Sequence, residues 1–114
     1  MDRERIPELI KHLKWVAKRP SMYVGAADPV RVDNYLLGLL TAVNQLFGVD
    51  DMRVREQVLA DRGLRTDRPL ISQVRAKRLS NRKQIDLLIE VESEVLARLY
   101  DAIPKPKRPK WGER

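Results

Sequence analysis

Apolar side chains recur three and four residues apart over several segments of the chain, and this spacing predicts amphipathic helices. The first predicted helix runs from Asp2 or Pro7 to Lys18, and proline is tolerated there because a first-turn N–H has no helical partner. Pro20 cannot continue the helix and sets its end. The chain is therefore expected to open with a helix that has one apolar face.

The second predicted helix is the most apolar segment. It begins at Asp28, a residue type that caps helix N-termini, continues with Pro29 at the first helical position, and ends at Gly48. Apolar residues cover more than half of its circumference, so we expect it to be the central helix, contacted on several sides. Gly38 weakens this helix by about 1 kcal/mol relative to alanine, and a close crossing by another helix would explain its presence.

Two shorter helices are predicted in the middle of the chain. Asp50 and Asp51 can cap the first, which ends near Gly63 because glycine accepts the left-handed conformation at a helix end. Residues 70–79 are expected to form the second of these helices. Their apolar spacing also fits a short strand, and the sequence leaves both open.

The last predicted helix has the clearest pattern. Ser80 caps it, a stripe of apolar residues begins at Ile85, and Pro104 follows its end. Only Glu92 interrupts the stripe. We expect this carboxylate to pair with a basic side chain from residues 75–83.

Together these elements predict an all-α fold, a compact bundle of four to five helices in a single domain over residues 1–103. Residues 104–114 alternate Pro with Lys or Arg and have no apolar face, so we expect a flexible, disordered basic tail. No apolar run approaches the roughly 20 residues of a membrane span, and the charged first residues do not resemble a signal peptide. We therefore expect a cytoplasmic protein of bacterial type that does not enter a membrane.

Positive charge is concentrated in two parts of the 114-residue chain, whose net charge is +7. Residues 53–83 carry ten Arg or Lys against three acidic residues, and residues 104–114 carry five against one. Such segments attract nucleic acid, acidic proteins or anionic surfaces, but they also serve as solvated faces, and both interpretations stay open. The candidate basic surface consists of Arg75, Lys77, Arg78, Arg82 and Lys83, with Lys105, Lys107, Arg108 and Lys110 of the tail.

Residue types that support catalysis or metal binding are scarce. Cysteine is absent, which excludes disulfides and thiolate metal sites. The one histidine, His12, lies off the apolar stripe of its helix, and we expect it to be a solvated surface residue. The sequence contains no recognisable nucleophile–base pair, metal-ligand cluster or phosphate loop. It predicts no catalytic residue, no metal site and no cofactor, and hence a protein that is not an enzyme.

Residues 19–25 are the most specific segment, with Arg19, Pro20, Met22, Tyr23 and Gly25 between the first two helices. Their apolar content indicates a loop that packs in one shape. We expect Met22 and Tyr23 to fill the core and Gly25 to supply a positive φ. In the functional alternative, Arg19 and the Tyr23 hydroxyl belong to a partner-facing surface.

This Arg-Pro-x-Met-Tyr-x-Gly motif resembles a signature near the start of the gyrase B ATPase domain, where it also precedes a long helix. In gyrase B that helix supplies a catalytic Glu and, four residues later, a Mg²⁺-binding Asn. Here Asn44 matches the Asn, but Leu40 stands at the Glu position, and the glycine-rich nucleotide lid is missing. The resemblance therefore does not extend to ATP hydrolysis.

The motif and the helix order are also similar to those of small uncharacterised bacterial helical proteins. That resemblance implies a fold and names no activity. Because some of these proteins look like immunity or antitoxin partners, we expect a non-catalytic protein-binding module that engages and neutralises another protein, such as a toxin or effector. The alternative is a nucleic-acid-binding module that uses residues 53–83 and the tail. The oligomeric state stays open.

Overall fold

The computed structural model describes residues 3–103, which contain six α-helices and no β-strand. They are α1 (Arg5–Lys18), α2 (Pro20–Val24), α3 (Pro29–Phe47), α4 (Met52–Asp61), α5 (Leu70–Ala76) and α6 (Asn81–Ala102). The predicted all-α class is confirmed, and residues 70–76 are helix, not strand. The predicted count of four to five was too low because residues 20–24, expected as a loop, wind into a short helix. The predicted basic tail lies outside the described residues.

Asp28, Ser80 and Gly48 set three helix ends as the sequence indicated. Asp28 Oδ1 accepts a hydrogen bond from the Val30 N–H at 3.3 Å, and Ser80 Oγ accepts one from the Lys83 N–H at 3.2 Å. Gly48 ends α3 in the left-handed conformation, with φ of 63°. These groups satisfy N–H donors that have no partner within their own helix, or let the chain turn away from it.

The central element is α6 and not, as the sequence suggested, α3. Four helices (α1, α3, α4 and α5) pack against α6, whereas α3 contacts α2, α5 and α6. Nine of the 22 residues of α6 are buried, against five of the 19 residues of α3. The buried face of α6 is wider than the predicted apolar stripe, because Val91 and the interrupting Glu92 are also buried. Neighbours therefore cover α6 on more than one side.

The core leaves part of the apolar surface of α3 uncovered. A Cβ at Gly38 would meet no other atom within 4 Å apart from its own helix backbone, so the close crossing expected there does not exist. Leu37 and Leu46 on the same helix are 54% and 55% exposed. The apolar residues that seemed to predict a central position therefore lie partly on the surface.

Candidate functional site

An apolar groove separates α1 from α3. Both helices pack on α6 while their backbones stay apart, and the gap between them has a volume of about 680 Å³. Its apolar lining consists of Leu9, Leu39, Ala42, Val43, Leu46 and Phe47, and its polar lining of Arg5, Glu8, His12 and Tyr35. Concave surfaces with a mainly apolar lining and a few polar groups are typical of binding sites.

Two tyrosines surround His12 at one end of this groove. His12 Nε2 and Tyr35 Oη share a hydrogen bond of 2.5 Å, and the Tyr23 ring stands edge-on to the imidazole with 5.2 Å between ring centroids. Burial, and then the nearby Tyr23, raise the pKa of Tyr35 above that of a free tyrosine. The expectation that His12 is solvated was wrong, because the sequence did not show that both tyrosines come from neighbouring helices.

The motif of residues 19–25 adjoins the groove through Tyr23, but it does not fill the core. Pro20 is buried, whereas Tyr23 is exposed and Met22 is 70% exposed, so the expectation that both side chains fill the core was wrong. Winding residues 20–24 into a helix directs Met22 outward, where its Sδ lies 4.0 Å from Arg19 Nη1. Gly25 has the expected positive φ, 84°.

Large apolar side chains continue beyond the groove on the same side of α1. Trp15 lies one helical turn after His12 and is exposed, and Lys18 Nζ sits 5.0 Å from the centroid of its ring. Met22 is also exposed, and it precedes Tyr23, whose ring contacts His12 of the groove lining. Exposed large apolar side chains are characteristic of interaction sites when they cluster on one surface.

The predicted basic surface is only partly a free surface. Arg75, Lys77, Arg78 and Lys83 are exposed and form no ion pair with any of residues 3–103. Arg82 differs, because its Nη1 donates a hydrogen bond to the Ala17 carbonyl at the end of α1 and its Nε lies 3.5 Å from Asp86. The four tail lysines and arginines of this surface lie outside the described residues.

Three other cations of residues 53–83, namely Arg55, Arg62 and Arg65, are paired with carboxylates of the same fold. Arg62 lies 3.0 Å from Glu94 and 3.5 Å from Glu90, and Arg65 lies 2.6 Å from Asp67. The excess positive charge read from the sequence is therefore concentrated after residue 67, around α5 and the start of α6.

A polar cluster joins α3, α4 and α6. Asn44 Nδ2 donates to Asp51 Oδ1 at 2.7 Å, and Arg55 Nε donates to Asp51 Oδ2 at 2.8 Å. Arg55 also donates to both carboxylate oxygens of Glu92. The expected partner of Glu92 in residues 75–83 was wrong, since Arg55 takes that place. The i, i+4 spacing of Asp51 and Arg55 could have predicted their ion pair from the sequence. The bonds between Arg55 and Glu92, which are 37 residues apart, had no such signal.

One small cavity, of about 200 Å³, is lined by Asp33, Arg55 and Glu92. Burial raises the pKa of both carboxyls above their ordinary values, and Arg55 offsets only part of this effect. On Arg55 burial acts to lower the pKa, but the bonds to Glu92 and Asp51 outweigh it and leave the pKa raised. Of these three residues, only Asp33 has no hydrogen bond or ion pair within residues 3–103. One free carboxylate without a second catalytic group does not make an acid–base pair.

The positions that match gyrase B do not form a nucleotide site. Asn44 is engaged with Asp51, and Leu40 is buried in the core. Residues 3–103 hold no cluster of three His, Asp or Glu suited to a metal ion, and each helix among them is too short or too polar to cross a bilayer. Comparisons with models of known families, with curated proteins and with solved structures found no match to this chain.

Proposed function

We propose that this chain is a non-catalytic protein-binding module whose α1–α3 groove accepts an amphipathic helix of a partner protein. The observation that carries the proposal is the apolar groove itself, which two helices border and which no element of residues 3–103 fills. Burying an amphipathic helix in a hydrophobic groove is a recurrent way of recognising a protein segment.

The dimensions of the groove suit a helix. Along α3 its lining extends from Tyr35 to Phe47, which at the rise of an α-helix is a length of about 18 Å, or roughly three turns. A partner helix of three turns presents apolar side chains at positions i, i+3 or i+4 and i+7. The apolar residues of the groove floor offer contacts along this whole length.

The net positive charge of α1, one of the two helices that border the groove, favours an acidic partner. The basic residues Arg5, Lys11, Lys14 and Lys18 outnumber the single acidic residue Glu8 on α1, although of these only Arg5 and Glu8 line the groove, and Lys14 and Lys18 line a separate depression with Asp86 and Glu90. The α3 helix has one basic and one acidic residue and is neutral overall. Positive potential along one side of an interface attracts a complementary negative segment and speeds its encounter. We therefore expect a partner helix with an apolar face and an acidic flank.

We propose more specifically that the partner is a toxin or effector, and that this chain neutralises it by binding, as immunity and antitoxin proteins do. This more specific proposal is supported by a resemblance to small proteins of that type, which lies in the helix order and in the Arg-Pro-x-Met-Tyr-x-Gly motif. The exposure of Met22 and Tyr23 beside the groove supports it as well, since it leaves the motif accessible to a partner.

Two leucines of equal exposure on α3 give a matched test. Leu46 lines the groove and Leu37 does not, although their exposed fractions are 55% and 54%. Displayed libraries of three-turn apolar helices with acidic or basic flanks should yield binders with acidic flanks. Leu46→Asp should reduce their affinity at least tenfold, and Leu37→Asp should leave it unchanged at an equal melting temperature.

Three outcomes would contradict the proposal. Equal losses in the two aspartate variants would place the binding elsewhere, and a preference for basic flanks would reverse the expected partner chemistry. Sedimentation that shows a dimer of the wild-type chain but a monomer of Leu46→Asp would assign the groove to a second copy of this chain. The proposal of a toxin or effector as partner is tested by whether co-expression of this chain rescues cells from a toxin whose helix the groove binds.

A further inference from the structure

We propose that the α4–α5 loop and the C-terminal end of α5 bind the phosphates of a nucleic-acid backbone. This inference goes beyond the protein-binding function and uses other elements than the α1–α3 groove. It takes up the nucleic-acid alternative that the sequence left open, but it assigns that role to a smaller and different set of residues.

A shallow pocket of about 300 Å³ lies between the loop and α5. Three cationic side chains line it, from Arg65, Arg68 and Lys77, together with the Ser72 hydroxyl, and no carboxylate is part of its lining. Arg65 is paired with Asp67, whereas Arg68 and Lys77 form no ion pair with any residue from 3 to 103. A concave surface with unpaired cations and a hydroxyl donor offers the groups that bind phosphate oxygens.

The loop that holds two of these cations is fixed by one side chain. Gln73 Oε1 accepts a hydrogen bond from the Arg65 N–H at 2.7 Å, and its Nε2 donates to the carbonyls of Arg65 at 2.8 Å and Arg68 at 3.1 Å. Three bonds from one amide hold the backbone of the loop against α5. A loop that is ordered before binding loses less conformational freedom when the ligand arrives.

The end of α5 holds a basic residue in an unfavourable backbone conformation. Arg78 has φ of 56° and is the sole residue other than glycine with a positive φ among those that the structure describes. At the end of a helix this conformation favours glycine or asparagine. Arg78 does not line the pocket, but it is exposed and directly follows Lys77, which does, so we include its cation in the proposed site.

The extent of the charge points to a polymer instead of a single phosphate ion. Residues 68–85 contain six Arg or Lys and no acidic residue. All six are exposed, and the five without an ion pair among residues 3–103 (Arg68, Arg75, Lys77, Arg78 and Lys83) outnumber the contacts that one phosphate requires. A nucleic-acid backbone presents a charge at regular intervals and can engage such an array.

The test measures fluorescence anisotropy of the full chain with labelled duplex DNA and single-stranded RNA of about 20 nucleotides in mixed sequence. We expect dissociation constants of about 10⁻⁶–10⁻⁴ M that weaken steeply between roughly 50 and 200 mM salt. The double variant Arg68→Gln/Lys77→Gln should bind at least tenfold more weakly. Its slope of log affinity against log salt should fall by about two, one for each lost phosphate contact.

A matched control removes equal charge elsewhere. Lys11 and Lys14 on α1 are exposed and have no ion pair within residues 3–103, so Lys11→Gln/Lys14→Gln lowers the net charge by the same amount. We expect it to retain most of the affinity and nearly the full salt slope. Equal effects of the two double variants would show attraction by net charge alone and overturn the site, as would absence of binding at the lower salt.

The Arg78 part of the site has its own test. Arg78→Gly removes the cation and also relieves the positive φ, so the melting temperature should stay equal or rise while affinity for the nucleic acid falls several-fold. Unchanged affinity would remove Arg78 from the site. Neutralising the tail at Lys105, Lys107, Arg108 and Lys110 should lower the affinity of all variants but keep the difference between the two double variants.

Inorganic phosphate separates a polymer site from a single-ion site. Titration followed by amide NMR should give only weak, millimolar shifts around Ser72 and Lys77, much smaller than those caused by an oligonucleotide. Saturation by inorganic phosphate at micromolar concentration, without tighter binding of the oligonucleotide, would assign the pocket to free phosphate and overturn the nucleic-acid inference.

Discussion

Arg55 of α4 and Glu92 of α6 are joined by two hydrogen bonds, from Nη1 to Oε1 at 2.5 Å and from Nη2 to Oε2 at 2.7 Å. Only 4% of the Glu92 side chain is exposed, and 22% of the Arg55 side chain. The bidentate pair links α4, whose own apolar content is thin, to the central helix. A buried pair of this kind costs solvation on both sides and is strongly coupled.

Breaking this pair from one side should destabilise the fold. Glu92→Ala is expected to lower the free energy of unfolding by about 3 kcal/mol, because it leaves a partly buried guanidinium with only Asp51. The double variant Arg55→Met/Glu92→Leu should lose less than the single variant, since it leaves no unpaired charge between them. Urea unfolding of both variants measures this, and a single variant that costs less than about 1 kcal/mol would contradict it.

The pH dependence of stability should reveal Asp33. Burial raises the pKa of Asp33 above its ordinary value of about 3.9, so the folded state binds this proton more tightly than the unfolded state. The stabilisation that comes from this tighter proton binding is complete at pH values below the pKa of Asp33 in the unfolded chain. It is lost as the pH rises through the pKa of Asp33 in the folded protein. Asp33→Asn lacks this titration, so its stability relative to wild type should increase between about pH 4 and pH 7. Thermal unfolding across that range measures the difference, and a constant difference would exclude the effect.

Two glycines should respond to alanine with opposite signs. Gly25→Ala is expected to destabilise by about 1 kcal/mol, because φ there is 84° and a Cβ would lie 2.9 Å from Arg31 Nη1. Gly38→Ala should stabilise by up to about 1 kcal/mol, since Gly38 lies within α3 with free space at the Cβ position. Melting temperatures of the two variants decide this, and a loss of stability in Gly38→Ala would show a contact at that face of α3.

Substitution of Met22 should hardly affect folding. Its side chain is 70% exposed, so Met22→Ser is expected to change the free energy of unfolding by less than about 0.5 kcal/mol. Leu13→Ala on α1 is the buried counterpart and should cost about 3 kcal/mol. Chemical denaturation of both variants gives the comparison. A large loss in Met22→Ser would mean that the motif supports the core after all.

Local signals in the sequence predicted the helices well, because their causes lie within a few residues. Asp28, Ser80 and Gly48 act on the adjacent backbone, so their effects could be predicted without any information on tertiary structure. The α2 helix was missed because a single turn after a proline reads equally well as a loop. The burial of Val91 also depends on neighbours of α6 that local spacing does not reveal.

The functional surfaces were less predictable because they depend on distances between helices. The α1–α3 groove exists because both helices pack on α6 while their backbones stay apart, which no spacing in either helix specifies. His12 similarly acquires Tyr23 and Tyr35 as neighbours from two other helices. The basic surface was predicted in part, but Arg55 and Arg62 turned out to be paired within the fold, and Arg68 was not singled out.

The central position of α6 has a consequence for how the chain folds as it is synthesised. The four helices that pack on α6 all precede it in the sequence, so each emerges from the ribosome before the surface that will cover its apolar face. A nascent chain that stops near residue 79 should therefore remain unfolded, exposed to proteases and dependent on chaperones, and should become compact only after residues 81–102 have emerged.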